Sequence, residues 1–282
     1  MTGRDRVWEA LLRRTLSHPP KGEILIENGW LRSAGFQDLS EVIQYLKADL
    51  VVLPVMPPPQ HGTGWQEWSR SRIFLFGRLQ GPVTYFTGQY GWHDFSRLLI
   101  KDPLTARKII ADFMAQSVEA ALPALDQGCE GIIVFDDLAG DKGLLINPKF
   151  LAEQYFPVMK QALEQIDCKH IPVIFHSDGY IFDLIPLLKA AGFWGIQGLQ
   201  PSLHPGPDVF AGMKDWVYWG NFDFEGQWRL KNTGEVESDV QKLLTEWQDF
   251  PGFIFGSSGG IYQGLSLPEI AAAYSVVENW NR

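Results

Sequence analysis

The chain has 282 residues, of which 45% are hydrophobic and 20% charged, the balance of a globular protein with a sizeable core. A net charge of −9 without basic clusters excludes nucleic acid and an anionic membrane as expected partners. There is no apolar run near the roughly 18 residues of a membrane span, and no signal-peptide pattern. The two cysteines are too few for a disulfide framework, so we expect a cytoplasmic protein.

Short β-rich runs alternate with helical patterns along the whole chain, after a predicted helix at about residues 3–16. Most of these runs are continuously apolar, which is typical of parallel strands covered on both faces. The eight predicted strands are EILIE (23–27), LVVLPV (50–55), PVTYF (82–86), GIIVFDD (131–137), PVIFHSD (172–178), WGIQGL (194–199), WVYWGNFD (216–223) and GFIFGSS (252–258).

Helical patterns fill the intervals between these strands. One covers 110–125, and a second covers 147–163, where Asn147 is the expected N-cap and Pro148 the first helical residue. Ser266 and Glu269 have the spacing of a capping box before the last helix.

Eight strands, each followed by a helix, predict an α/β fold: a single (β/α)8 TIM barrel over residues 1–282 with an extra N-terminal helix. A doubly wound open sheet is the alternative, but no glycine-rich dinucleotide fingerprint follows the first strand. In a barrel, the working face consists of the C-terminal ends of the strands.

Polar residues collect at five of these eight strand ends and predict a catalytic mouth there. They are Glu27 and Asn28, Asp136 and Asp137, His176 and Asp178, Asn221 and Asp223, and Ser257 and Ser258. Several have a structural alternative, because aspartate and asparagine also cap turns. The glycine-rich stretch 256–260 suggests a phosphate loop, but the next helix begins too late, near 266, to aim its amides there. His61, on a loop after the second strand, is a further candidate for the mouth.

His176 and Asp178 are two residues apart, so on a regular strand their side chains share a face and Ser177 points to the other. Polar groups on an inward face are costly unless they are paired, bound to metal or exposed to a wet pocket. We therefore predict that both line the substrate cleft. The alternative is that Asp178 only shapes the turn at Gly179 while His176 bonds to a backbone carbonyl.

Several segments in a specific order resemble the uroporphyrinogen decarboxylase superfamily. They are TGRDRVWEALLRR, FDDLAGDKGLLINPKFLAEQYFPVMKQAL, IPVIFHSDGYIFDLIPLLKAAGFWGIQGLQP, and WGNFD followed by FIFGSSGGIYQGLSLPEIAAAYSVV. The resemblance covers nearly the whole chain and implies a (β/α)8 barrel with the ligand in a cleft at the C-terminal strand ends. It also implies one of two activities: tetrapyrrole decarboxylation, or zinc-dependent transfer of a methyl group from a corrinoid protein to a thiol.

The decarboxylase branch of the superfamily fits this sequence poorly. Its arginine-rich stretch after the first strand is reduced here to Arg32, and its aspartate after the second strand falls near Pro54. Its tyrosine after the third strand falls close to Gly88, with Tyr90 as a neighbour, and its late histidine falls at Gly259. A substrate with eight carboxylates needs cationic partners, and this mouth is acidic. We therefore predict no decarboxylation of uroporphyrinogen.

The methyltransferase branch has a His-x-Cys pair after strand five and a second cysteine after strand eight. These positions correspond here to His176, Asp178 and Gly259. Histidine and aspartate are competent zinc ligands, so the resemblance implies a harder N/O site. The third ligand would be Glu27, Asp136 or Asp223. In the alternative, the metal is lost and His176 is a proton carrier held by a carboxylate.

We predict a methyltransferase of corrinoid or one-carbon metabolism that acts on a small molecule or with a corrinoid protein, which supplies the corrinoid. Tetrapyrrole decarboxylation and non-catalytic corrinoid or tetrapyrrole binding are the alternatives. The predicted catalytic residues are His176, Asp178 and Asp136, and the first two are also the predicted zinc ligands. The predicted substrate-binding residues are Glu27, Asn28, Asp137, Asn221, Asp223, Ser257, Ser258, Tyr90 and His61.

Overall fold

The structure, a computed structural model, describes residues 1–55, 64–166, 170–204, 206–224 and 232–281. The α-helices are α1 Gly3–Leu11, α2 Asn28–Ser33, α3 Leu39–Leu46, α4 Trp65–Ser69, α5 Pro82–Tyr90, α6 Trp92–Lys101, α7 Pro103–Asp126, α8 Pro148–Phe150, α9 Phe156–Gln165, α10 Ile185–Ala191, α11 Thr233–Trp247 and α12 Leu267–Asn279. A π-helical turn, Leu151–Tyr155, joins α8 to α9, and 3-10 turns cover Phe182–Leu184 and Pro207–Met213.

The strands are β1 Leu50–Pro54, β2 Phe74–Gln80, β3 Gly131–Phe135, β4 Ala139–Gly140, β5 Gly143–Leu144, β6 Val173–His176, β7 Gly195–Gln197, β8 Val217–Phe222 and β9 Phe253–Ser257. Seven of them belong to one sheet, and β4 and β5 form a small antiparallel pair. The fold class is therefore α/β, as predicted. Across the described residues the sheet has seven strands, not the eight of the predicted barrel.

The chain divides into two compact units. The first consists of Met1–Val52, Ser71–Phe74 and Gly198–Arg282, and the second of Leu53–Arg70 and Leu75–Gln197. In the second unit β2, β3, β6 and β7 follow one another as parallel neighbours. Their register places four residues in one row across the strands: Gln80, Phe135, His176 and Gln197. In the first unit β8 pairs with β9, also in parallel.

The predicted strand at 82–86 is wrong, because this segment is the first half of α5 and the strand lies earlier, at Phe74–Gln80. Pro82 occupies the first helical position after Gly81, where proline is well tolerated. The Asp136 carboxylate accepts the backbone N–H groups of Val83 and Thr84, which would otherwise have no partner at the start of the helix. This contact, distant in sequence, outweighs the β propensity of the segment.

The predicted first strand at 23–27 is also not a regular strand. Its backbone makes only isolated parallel bridges, Lys21 with Phe255 and Ile26 with Ile261. The eight-strand count therefore fails at the N-terminal segment, where hydrogen bonding to the backbone near β9 is intermittent.

The predicted helix boundaries are partly correct. Asn147 is an N-cap whose side chain accepts the Lys149 N–H at 2.8 Å, as predicted. Ser266 precedes α12, but its side chain makes no capping hydrogen bond, so the predicted capping box does not form. The first helix ends at Leu11, short of residue 16. Within the described ranges, every helix is too short or too polar to cross a membrane.

Candidate functional site

Three ionisable side chains meet where β3 and β6 end in the second unit. Asp137, His176 and Asp178 each place a potential ligand atom within 4.8 Å of the others. His176 Nε2 lies 3.9 Å from Asp137 Oδ1, and the Asp178 backbone N–H donates to that same oxygen at 3.1 Å. His176 and Asp178, at the end of β6, are thus brought together with Asp137, which follows β3 and was predicted to bind substrate.

Gln197, which the sequence analysis missed, fixes the orientation of the imidazole. Its Oε1 is hydrogen bonded to His176 Nδ1, and both residues occupy paired positions on β6 and β7. Because an amide oxygen only accepts, this bond requires a proton on Nδ1, so in the neutral imidazole the Nε2 lone pair is on the side of Asp137. The sequence signal that could have identified Gln197 is a glutamine within the apolar run GIQGL, and the structure shows that it is fully buried.

The loop between His176 and Gly179 is held by local hydrogen bonds. Ser177, predicted to point away, is fully buried; its Oγ accepts the Leu138 N–H at 3.1 Å and donates to the Asp178 carbonyl at 2.9 Å. Gly179 has a φ of 87°, and a Cβ there would lie 2.6 Å from the backbone of Ala139. The turn therefore requires glycine, and the Asp178 side chain lies in the cluster. His176 Nδ1 is bonded to the Gln197 side chain and not, as in the structural alternative, to a backbone carbonyl.

Asp136, predicted to be catalytic, lies outside the cluster and is fully buried at the start of α5. Its carboxylate accepts Thr84 N–H at 2.6 Å, Val83 N–H at 3.2 Å and the Tyr155 hydroxyl at 2.5 Å. Burial raises the pKa of Asp136 to about 6, against the lowering effect of these donors. With three donors in place, this geometry is that of a helix anchor.

The adjacent aspartates therefore do different work. The Asp137 backbone N–H donates to Thr84 Oγ1 at 2.9 Å, so α5 holds both residues. Gly81 allows this close approach, since a Cβ there would lie 2.2 Å from the Asp136 Cβ. Rigid attachment to α5 positions the Asp137 side chain toward His176.

Asn221 belongs to the first unit and is buried at the end of β8, with a φ of 74°. Its amide nitrogen donates to the carbonyls of Leu199 at 2.8 Å and His204 at 3.2 Å. Its oxygen accepts Trp247 Nε1–H at 3.2 Å. The Asn221 side chain therefore connects the segments at Leu199 and His204 to Trp247 of α11.

Ser257, also in the first unit, is bonded to a buried carboxylate that the sequence analysis did not single out. Glu23 accepts the Ser257 N–H at 3.0 Å, the Ser257 hydroxyl, and the Tyr274 hydroxyl at 2.9 Å. Desolvation raises the pKa of Glu23 above its usual value, and these donors oppose the rise. Glu23 and Glu27 stand at the two ends of the run EILIE, and nothing in this pattern indicates that Glu23 would be the buried acid.

The other predicted residues are dispersed. Glu27 precedes α2 and accepts the Gln263 N–H at 2.8 Å, while Asn28 is the first residue of α2. Ser258 is buried and Asp223 half-buried. Tyr90 is 66% exposed on α5 and stacks on Phe86. The prediction for His61 lies outside the described residues.

The Asp137, His176 and Asp178 cluster fits a divalent metal such as zinc in its donor chemistry. Neutral imidazole nitrogen and carboxylate oxygen are both zinc ligands, and Gln197 leaves the Nε2 lone pair free. Two ligands of a tetrahedral zinc ion lie about 3.4 Å apart, given metal–ligand bonds of about 2.1 Å. The distance of 3.9 Å from His176 Nε2 to Asp137 Oδ1 is slightly longer than this ligand–ligand separation, so the two atoms would move slightly closer together to bind one ion.

The fold itself is found in a solved methyltransferase from Methanosarcina mazei, which superposes with a TM-score of 0.77 at 13% identity. The match covers 99% of this chain and 98% of that one. A Xaa-Pro dipeptidase matches with a TM-score of 0.40 at 10% identity over 95% of this chain and 71% of that one. A D-psicose 3-epimerase from Clostridium cellulolyticum H10 matches with a TM-score of 0.36 at 12% identity over 86% and 92%. The first match shows a shared α/β fold, and the other two are too distant to support an argument.

The sequence also matches the family model described as uroporphyrinogen decarboxylase (URO-D), over residues 66–280. Since this is well over half of the chain, the protein belongs to the uroporphyrinogen decarboxylase family. The resemblance seen in the sequence is thereby confirmed. A search of curated proteins returned no match.

Proposed function

We propose that the protein is a methyltransferase enzyme whose reaction centre is the Asp137, His176 and Asp178 cluster. The observation that carries this proposal is the convergence of the three side chains, with Gln197 fixing the tautomer of the imidazole. The resemblance implies that His176 and Asp178 correspond to the family's zinc-binding His-x-Cys pair, which supports the same proposal. The shared fold with the Methanosarcina mazei methyltransferase supports the same activity.

In this proposal Asp137, His176 and Asp178 hold the metal. When bound, zinc supplies a Lewis acid that lowers the pKa of a coordinated thiol and so produces a nucleophile near neutral pH. His176 binds through Nε2 because Gln197 occupies Nδ1. Asp137 is oriented by Thr84, and the turn at Gly179 keeps Asp178 beside it. No thiolate ligand comes from Cys129, since burial raises the pKa of that thiol to about 12.

Decarboxylation of uroporphyrinogen is less well supported by the same site. A polyanionic tetrapyrrole needs several cationic partners, and the resemblance implies that only Arg32 remains of the family's arginine-rich entry. The proposed methyl donor is instead a corrinoid carried by a partner protein, as the family resemblance implies. We also propose that the protein works in the cytoplasm.

Metal analysis of protein purified without chelators tests the site. We expect close to one equivalent of a divalent metal in the wild type, and loss of it in both His176→Ala and Asp178→Ala. Asp112→Ala, an exposed aspartate on α7, is the matched control and keeps the metal. Gln197→Leu leaves the ligands in place but is expected to weaken metal affinity by about 10- to 100-fold.

Methyl transfer is followed by the visible spectrum of methylcobalamin in the presence of a thiol. We expect thiol-dependent demethylation by the wild type, lost in His176→Ala and kept in Asp112→Ala. A metal that stays bound in His176→Ala would place the site elsewhere. Activity in protein free of metal would favour the alternative, in which His176 carries a proton.

A further inference from the structure

Arg78 is a second functional group on the face of the sheet that carries His176. It lies in β2, opposite Ile133 of β3, and is half-buried. Its guanidinium carbon lies 5.4 Å from the centroid of the Phe135 ring. The other neighbour of that ring is His176, with ring centroids 4.4 Å apart. One aromatic ring therefore separates a cation from the imidazole of the cluster.

The charge of Arg78 has no counter-ion among the described residues. Its guanidinium lies over the Phe135 ring, and within the described part of the chain it makes no hydrogen bond or ion pair. Desolvation lowers the pKa of Arg78 below its usual value, and no nearby carboxylate offsets the shift. A half-buried cation that has lost part of its hydration gains from an acceptor supplied by a ligand. Arg6, by contrast, forms an ion pair with the carboxylate of Asp49 at 2.7 Å.

The end of this face is open to solvent. Phe135 is half-buried, although the four residues before it in β3 are buried, and Gln80, two residues beyond Arg78, is exposed. Arg78 and Gln80 share a face because side chains alternate along a strand. A small molecule can therefore approach Arg78 from the end where the cluster lies.

We propose that Arg78 binds the carboxylate of a small monoanionic substrate whose reacting atom lies at the Asp137, His176 and Asp178 cluster. The inference rests on the proposed function and names the substrate class of that site. A guanidinium forms two parallel hydrogen bonds with a planar carboxylate, which gives orientation as well as affinity. One such cation suits a single carboxylate, since a second one would have no cationic partner on this face among the described residues.

Calorimetric titration of the complete protein with 3-mercaptopropionate and with its amide tests this assignment. The two thiols differ in charge alone, so any binding of the thiol group to metal cancels in the comparison. We expect the wild type to bind the acid about 10- to 100-fold more tightly than the amide, the strength of a hydrogen bond to a charged group. Arg78→Met should abolish this preference and Arg78→Lys should keep part of it. Arg107→Met, on the exposed face of α7, is the matched control and should keep all of it.

Thermal melting separates this role from a structural one. Because Arg78 has no counter-ion in the described ranges, Arg78→Met should leave the melting temperature unchanged or raise it. The assignment is overturned if the wild type fails to bind the acid or binds both thiols equally, or if Arg78→Met keeps the preference. Failure of the proposed function is detected separately, by the absence of bound metal and of methylcobalamin demethylation. The titrations still measure the preference for the acid over the amide and its dependence on Arg78 in that case.

Discussion

The Tyr155→Phe variant tests whether Asp136 anchors α5 or takes part in catalysis. Tyr155 is fully buried in the π-helical turn, and its hydroxyl donates to Asp136 Oδ2 at 2.5 Å. The substitution removes one oxygen and leaves the packing of the ring unchanged. A hydrogen bond to a charged group stabilises a protein by about 1.5–3 kcal/mol, so we expect a loss near 2 kcal/mol at pH 8, measured by urea denaturation.

The loss should depend on pH, and the sign follows from linkage. The pKa of Asp136 is about 6 in the folded protein, above the usual aspartate value of 3.8, so the folded state holds this proton more tightly than the unfolded state. The contribution of Asp136 to stability therefore falls as pH rises from 3.8 through about 6. Tyr155→Phe removes a donor that lowers this pKa, so the pKa rises further. Each added unit costs about 1.4 kcal/mol at a pH above both values and nothing near pH 4.

Tyr218→Phe is the matched control, because this hydroxyl donates at 2.9 Å to the backbone carbonyl of Met213 and not to a carboxylate. Its cost should be nearly the same at pH 5 and pH 8. If Tyr155→Phe costs less than about 0.5 kcal/mol, or costs the same at both pH values, the ionised Asp136 anchor described above is wrong.

Three further predictions concern residues that the structure places outside the cluster. Gly81→Ala should destabilise the protein by about 3 kcal/mol, because the added Cβ would lie 2.2 Å from the Asp136 Cβ. Gly88→Ala, in the helix that follows, has open space around its Cβ and should stabilise the protein by about 0.5–1 kcal/mol. Equal effects of the two variants in urea denaturation would refute this reasoning. Asn221→Ala should cost about 3 kcal/mol through lost hydrogen bonds and a positive φ, and a melting temperature within a degree of the wild type would contradict the bonding described. The raised pKa of Glu23 makes wild-type stability fall as pH rises above 4.5, so Glu23→Gln should flatten the plot of unfolding free energy against pH; an unchanged slope would show that Glu23 is not the group responsible.

The sequence by itself determined the strands that are buried on both faces. Runs such as GIIVF at 131–135 and PVIF at 172–175 are short, continuously apolar and rich in β-branched residues, a pattern typical of a covered parallel strand. The order of motifs was equally informative, because it identified the family before any contact was known. The spacing of His176 and Asp178 indicated two polar groups at one strand end.

The tertiary structure alone decided what the segment 82–86 would become. Proline followed by β-branched and aromatic residues suits an edge strand or a helix start, and local preference does not separate the two. Asp136, more than fifty residues away, accepts the first N–H groups of this segment and stabilises the helix. A contact of such sequence separation leaves no trace in a local pattern.

The different roles of Asp136 and Asp137 were also decided by the tertiary structure. Asp136 and Asp137 are neighbours of the same type, so no local pattern indicates that one is buried against a helix and the other faces His176. Gln197 and Arg78 come from strands that are separate in sequence and reach His176 only through parallel pairing, the first directly and the second through Phe135. Sequence periodicity fixes the face on which a side chain lies, whereas its partners depend on which strands are neighbours, and pairing between distant strands is set by the packing of the whole sheet.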